Sequence, residues 1–192
     1  MKLVARLVVV LIGLAAIVIG IAQFRRGVKE LRGPDSDPRI KQIRADVDTA
    51  VGEANRNSAN AQPLFQQLLG DVDTLGLAKV REQQRDAARK ISDTFGRAAE
   101  QFRLAATHLD DWAALNPDEK TMAYLTTKKR GYTLAAQAHD VNQEILRLVL
   151  DDSIRTLDEL LPKLQEAAAR RDALQKSSTE AEAQANDMAK AK

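Results

Sequence analysis

Histidines and paired acids are the side chains of this sequence that could carry acid–base or metal chemistry. The two histidines are His108 and His139. A di-iron helical bundle requires Glu-x-x-His pairs, because a carboxylate and an imidazole must project from one face of a helix. Ala105 and Ala136 stand three residues before these histidines, so the spacing predicts no metal site. We expect His139 instead to lie at the edge of a helical core, bonded to a neighbouring helix.

Motifs of other enzyme classes are also missing from the sequence. It contains no Gly-x-Ser-x-Gly, no glycine-rich phosphate loop and no dinucleotide-binding fingerprint. The lack of cysteine excludes thiolate zinc sites, iron–sulfur clusters and cysteine nucleophiles. The acid pairs Asp110-Asp111 and Asp151-Asp152 are adjacent, and neighbouring helical side chains diverge by about 100°. We therefore expect solvated acids, no catalytic residues, no cofactor and no enzyme.

Lys128, Lys129 and Arg130 form the one concentrated basic run of the chain after the N-terminal segment. Such a run could contact an anionic group, for example a phosphate or a lipid headgroup. Three consecutive helical positions fan around the axis, however, and Gly131 weakens the helix at this point. A solvated run of charges is the favoured interpretation, and an anion contact is the alternative.

The elements that position these side chains are predicted to be helices. Aromatic residues make up only 4% of the chain, and good helix formers dominate it after residue 30. The length of 192 residues fits one domain. The net charge of +2 is uneven, because residues 1–32 hold six bases and one acid, which leaves the remainder at −3. A mildly acidic domain of mixed sign argues against a nucleic-acid partner.

An apolar heptad pattern predicts the most regular helix, over residues 77–115. Its apolar positions alternate in steps of three and four, which is typical of a seam between packed helices. Arg97 and Glu100 lie outside this seam, so we expect them to face solvent or a partner. The seam residues are Ala88, Ile91, Phe95, Ala98, Phe102, Ala105, Leu109 and Trp112.

Capping residues predict where the helices begin. Asp37 can cap a first helix that has Pro38 at its first position. Asn116 can cap a helix that Pro117 opens, with Glu119 completing a capping box. A tight turn there predicts that helices 77–115 and 118–176 form an antiparallel pair.

Interruptions of the apolar pattern predict where the helices bend or end. The polar stretch 55–62, which Pro63 follows, is interpreted as a loop or kink near 58–63, although a functional polar patch is the alternative. Gly76 marks a boundary between helices. A phase slip at 151–153 falls inside the predicted helix 118–176, and Pro162 predicts a kink.

An uncharged apolar segment over residues 7–24 predicts a membrane anchor. Its eighteen residues rise about 27 Å as a helix, close to the hydrocarbon thickness of a bilayer. A cleavable signal peptide, with residues 20–22 as its cleavage site, is the alternative. The segment is long for a signal peptide, and Arg25 and Arg26 follow it directly, so we favour the anchor.

The charges that flank this segment leave its orientation open, because counting lysines and arginines favours one side by a single charge. We expect a single-pass protein of the inner, or cytoplasmic, membrane of a bacterium. The side on which the domain lies remains undetermined by the sequence.

The sequence therefore predicts an all-α protein with one N-terminal transmembrane helix and an elongated antiparallel bundle of three to four helices around a coiled-coil-like hairpin. The expected organisation is an anchor with basic flanks (1–32), a linker (33–38), a bundle (39–176) and a polar tail that is frayed or disordered (177–192). We expect a structural or interaction protein whose partner is another protein or a second copy, and no small-molecule ligand. The alternative is a ligand-sensing domain resembling the periplasmic helical bundles of bacterial receptors, although the polar stretch 184–192 offers no second membrane helix.

Overall fold

Four long helices form the part of the chain that the computed structural model describes, residues 37–190. They are α1 (Pro38–Leu75), α2 (Leu77–Ala113), α3 (Glu119–Leu150) and α4 (Leu157–Lys190). Each helix packs chiefly against its neighbours in the sequence, and short connections reverse the chain between them. The prediction of an all-α antiparallel bundle is confirmed. With 38 residues, α1 is about 57 Å long.

The first two helix boundaries follow the sequence closely. Asp37 caps α1 by accepting a hydrogen bond from the Arg39 backbone N–H at 2.8 Å, and Pro38 occupies the first turn. Gly76 alone connects α1 to α2 and has a φ of 84°. This left-handed conformation is one that glycine adopts without steric cost, which explains why the chain reverses at this residue.

The cap of α3 lies two residues later than predicted. Asp118, not Asn116, accepts the hydrogen bond from the Thr121 backbone N–H, at 2.9 Å. Asn116 instead has a φ of 53°, a conformation that asparagine tolerates in turns. An N-cap residue has an extended conformation, so with a positive φ Asn116 belongs to the turn before the helix.

The predicted helix 118–176 is in fact two helices. Its phase slip is a chain reversal between α3 and α4, so the bundle has four helices. In the turn, Asp151 accepts hydrogen bonds from the backbone N–H and hydroxyl of Ser153. Arg81 of α2 holds the turn from outside, because its guanidinium donates to the carbonyls of Val149 and Ile154 at 2.7 Å.

The polar stretch 55–62 does not break α1, which runs through Pro63 without interruption. Asn55, Ser58 and Gln62 are buried in the bundle. The interpretation of this stretch as a loop is therefore wrong. Pro63 is itself exposed, and tertiary packing on both sides holds the helix despite the lost hydrogen bond.

The polar tail is also helical, contrary to the expectation of fraying from residue 177. α4 continues to Lys190, and Ser178, Ala181, Glu182 and Ala185 are buried. Small residues let α4 approach α3 closely here: the Ser178 hydroxyl donates to the carbonyl of Gly131 at 2.8 Å. The absence of large apolar residues thus marks a close helix contact and not disorder.

Two apolar clusters fill the bundle, one toward each end. The upper cluster contains Phe65, Phe95 and Val149, and the lower cluster contains Phe102, Trp112 and Tyr132. All eight residues of the predicted α2 seam are buried, which confirms the seam.

The predicted anchor, residues 7–24, and most of the predicted linker lie outside the described residues. Of the four helices in residues 37–190, none has an apolar stretch that would suffice to cross a bilayer. The membrane anchor therefore stays a prediction.

Candidate functional site

The three cations of the basic run face different surroundings. Lys128 is buried and donates to the Glu182 carboxylate at 3.0 Å, whereas Lys129 pairs with Asp110 at 2.7 Å on a half-exposed surface. Arg130 is exposed. The run therefore presents no common surface of three cations, and its contact with an anionic group stays a prediction.

The Lys128–Glu182 pair joins α3 to α4 inside the lower cluster, and only 2% and 6% of the two side chains is exposed. Burial raises the pKa of Glu182, and the Lys128 ammonium opposes this only in part. Burial likewise raises the pKa of the nearby Asp48 carboxyl on α1. The Lys128 ammonium also lies 5.8 Å from the centre of the Tyr132 ring. Sliding one helix along the other would leave each charge buried without its partner, which is strongly unfavourable.

A cavity of about 10 Å³ lies beside this pair. That is about the volume one water molecule needs, so the cavity does not hold an organic substrate. Its lining residues are Arg44, Val47, Leu109, Trp112, Tyr124, Lys128 and Tyr132.

A layer of buried polar side chains separates the two apolar clusters. Phe95 of α2 contacts the ring of Phe65 on α1 and the ring of His139 on α3. These contacts place the middle of α1 level with His139. Arg170 of α4 pairs with Glu144 of α3, which lies two residues after Asn142. The next residue of α4, Arg171, therefore lies level with Asn142. The buried polar residues of this layer are Asn55, Ser58, Gln62, His139, Asn142 and Arg171.

Several atoms of this polar layer lack a hydrogen-bond partner among the described residues. They include both amide atoms of Gln62, both of Asn142, and Nη1 of Arg171. Arg171 is fully buried, and its other nitrogens donate to the half-exposed Asp172 carboxylate. Each unsatisfied buried group costs about 1–3 kcal/mol, so the layer is a costly feature of the core. Because polar groups tolerate few alternative positions, the layer favours one arrangement of the helices over others.

His139 is buried within the layer and does not lie at the edge of the core. Its ring stacks between Phe95 and Phe102, with centroids 5.6 and 5.7 Å away. Its Nδ1 has no hydrogen-bond partner among residues 37–190, so the expected bond from this nitrogen to a neighbouring helix is not found. Burial lowers the pKa of His139 from 6.5 to about 4. His108, by contrast, is partly exposed and lies 3.5 Å from Asp111.

The depressed pKa of His139 predicts acid sensitivity between pH 6.5 and 4. Below pH 6.5 the unfolded chain takes up a proton that the folded chain refuses, so stability is full above 6.5 and falls toward pH 4. The loss reaches about 3 kcal/mol at pH 4. Urea unfolding of the native chain and His139→Gln at pH 7 and pH 5 measures it, with His108→Gln as the matched control. We expect the free energy of unfolding to depend less on pH in His139→Gln than in the native chain or in His108→Gln. An unchanged dependence in His139→Gln would contradict the burial of His139.

Arg97 and Glu100 lie on the exposed surface of α2, opposite the buried seam. Within residues 37–190 neither forms an ion pair. Two other cations of α2 are paired, in contrast: Arg103 with Asp140, and Arg85 with Asp152. The outward face of α2 thus carries charges that the described bundle does not neutralise.

No three histidine or acidic side chains of the described chain are arranged to hold a metal ion. Comparison of the chain with protein-family models, with curated proteins and with solved structures gave no match. The geometry of the bundle is therefore the basis for its proposed function.

Proposed function

We propose that this chain is a membrane-anchored structural or interaction protein that presents its helical bundle for association with a second copy or with another envelope protein. The observation that carries the proposal is the outward face of α2. Arg97 and Glu100 are exposed and have no ion-pair partner in the described chain, whereas Arg85 and Arg103 of the same helix pair with acids near or on α3. Charges of both signs on one helix face can set the register of an association.

Membrane tethering would strengthen such an association. Copies that share a surface have a raised effective concentration, so a weak helix–helix contact becomes populated. The buried polar layer and the Lys128–Glu182 pair support the proposal in a second way, because they favour one arrangement of the helices and thereby a defined outer surface.

The proposed anchor makes a direct prediction. The full-length chain should stay in the membrane fraction through alkaline carbonate washing, because residues 7–24 match the hydrocarbon thickness of a bilayer. N-terminal sequencing of the recovered protein is the control. A soluble mature chain that begins at Gln23 would show that the segment is a signal peptide.

Association is tested by crosslinking the full chain in intact membranes with an amine-reactive reagent. We expect a reproducible dimer or hetero-complex that Arg97→Glu and Glu100→Arg reduce several-fold without lowering the melting temperature, because both side chains are exposed. Added salt should also reduce it, since exposed charges are screened. Asp187→Arg, an exposed charge reversal on α4 that leaves every lysine in place, is the matched control. Recovery of monomer only, with no reproducible partner, would refute the proposal.

Ligand sensing is the second candidate function, and one groove favours it. This groove, of about 320 Å³, lies between α2 and α3. Its lining residues are the cations Arg85, Arg89 and Arg147, the acid Asp93, Ser92, and the apolar Leu146 and Leu150. Such a lining suits a small anion with an apolar body. A thermal-shift titration with aromatic and aliphatic carboxylates tests it, and Arg147→Gln should abolish any stabilisation that these ligands produce.

A further inference from the structure

Leu104 is an exposed apolar residue on the outward face of α2, with 43% of its surface accessible. The other large exposed apolar residues of the described chain are Leu64 and Leu75. Leu64 has the uncharged amides Asn60 and Gln67 beside it on its helix face, and Leu75 ends α1. Leu104 differs from both, because titratable side chains lie on its helix face on both sides of it.

These flanking side chains are arranged symmetrically about Leu104. Arg97 lies seven residues before it and Asp111 seven residues after it; Glu100 lies four before and His108 four after. Steps of three and four residues place all five on one face of a helix. Arg97, Glu100 and Asp111 are exposed, and His108 is partly so. A two-fold axis through Leu104 would therefore bring each basic side chain opposite an acidic one.

We propose that α2 pairs in antiparallel orientation with α2 of a second copy of this chain, about a two-fold axis at Leu104. This inference rests on the proposed function of association. Arg97 faces Asp111 of the second copy, and this contact occurs twice. Glu100 faces His108 of the second copy, and the two leucines pack together at the axis. A parallel pair would instead set Arg97 against Arg97 and Glu100 against Glu100, so like charges disfavour it.

The side chains of this face are available for such contacts. Within residues 37–190 Arg97 and Glu100 have no ion pair, and Asp111 contacts only His108 on the same helix, at 3.5 Å. The contact from residue 97 to residue 111 is about 21 Å long. Exposed ion pairs contribute little each, so the pairing is weak in dilute solution and depends on confinement of the copies. Because Arg44 near the start of α1 packs on Trp112, the register sets the Pro38 ends of the two copies at opposite ends of this overlap, so both anchors enter one bilayer when the bundles lie along its surface.

Cysteine crosslinking of the full chain in its own membrane tests the register, because the natural sequence contains no cysteine. Leu104→Cys should form a disulfide-linked dimer on mild oxidation, since the two copies meet there. Arg97→Cys alone should not, because the two equivalent residues stand about 21 Å apart along the axis. Co-expressed Arg97→Cys and Asp111→Cys chains should form a mixed dimer. Lys176→Cys on α4 is the control and should stay monomeric.

The contact between Arg97 and Asp111 is tested by charge reversal in chains that also carry Leu104→Cys, with the crosslinked fraction as the readout. Arg97→Asp and Asp111→Arg should each reduce the crosslinked fraction several-fold, and the double variant should restore it, because it exchanges the two signs in both contacts. Strong self-crosslinking of Arg97→Cys would show a parallel pair and overturn the inference. A dimer under the amine-reactive reagent without crosslinking at Leu104 would leave the proposed function intact and overturn this register. Monomer under both reagents would refute both.

Discussion

Replacement of Lys128 by methionine should lower the free energy of unfolding by about 3–5 kcal/mol, because it leaves the Glu182 carboxylate buried without its cation. The two side chains are 2% and 6% exposed, and their charged atoms lie 3.0 Å apart. A water molecule in the adjacent cavity would not supply the lost positive charge. Urea unfolding of the full chain in detergent measures the change, and Glu182→Gln should also destabilise the chain because it removes the carboxylate that the Lys128 ammonium contacts.

A double variant separates the stability that the ion pair contributes from the cost of leaving one charge buried alone. Lys128→Met with Glu182→Leu removes both charges and should recover most of the stability that the single variants lose. Lys129→Met is the matched control, because its ion pair with Asp110 is half-exposed and should contribute less than about 1 kcal/mol. A loss in Lys128→Met no larger than in Lys129→Met would show that the Lys128–Glu182 pair is solvated.

The sequence predicted those parts of the bundle that repeat a local pattern. The α2 seam is an unbroken alternation of three and four residues, so its buried face and the outward positions Arg97 and Glu100 follow from the same periodicity. Asp37 caps α1 and Gly76 ends it, and each acts on the backbone of its own turn. The start of α1 and its boundary with α2 were therefore also predictable.

The start of α4 was predictable but was not predicted. Thr156 accepts a hydrogen bond from the backbone N–H of Glu159, and the Glu159 carboxylate accepts one from the backbone N–H of Arg155. This is a Thr-x-x-Glu arrangement close to a capping box, and it directly follows the phase slip at 151–153. Read together, those two signals indicate a turn and a new helix.

The polar interior was not predictable from local patterns, because its members come from distant parts of the chain. Glu182 lies 54 residues from Lys128, and it stands in a segment whose small and polar residues are typical of a disordered tail. Gln62, Asn142 and Arg171 come from three different helices. Local propensity treats each as a surface residue, and only the packing of four helices places them together.

Truncation of Phe102 to alanine should also destabilise the domain by about 3–5 kcal/mol, the usual loss for a buried phenylalanine. The ring is 4% exposed and lies 5.7 Å from His139 and 6.2 Å from Tyr132, centre to centre, so its removal opens a cavity at the polar layer. Against a typical stability of about 5–15 kcal/mol, the melting temperature should fall by roughly 10 °C or more.

The matched control for Phe102 is Leu104→Ala, two residues further along the same helix on its exposed face. Measured on dilute monomer in detergent by thermal unfolding, it should change stability by less than about 0.5 kcal/mol, because its side chain is already in contact with solvent. The contrast between the two variants assigns the inner and outer faces of α2. Equal effects would mean that α2 does not pack against α3 through its apolar seam, and the outward face on which the association depends would then be assigned to the wrong side of the helix.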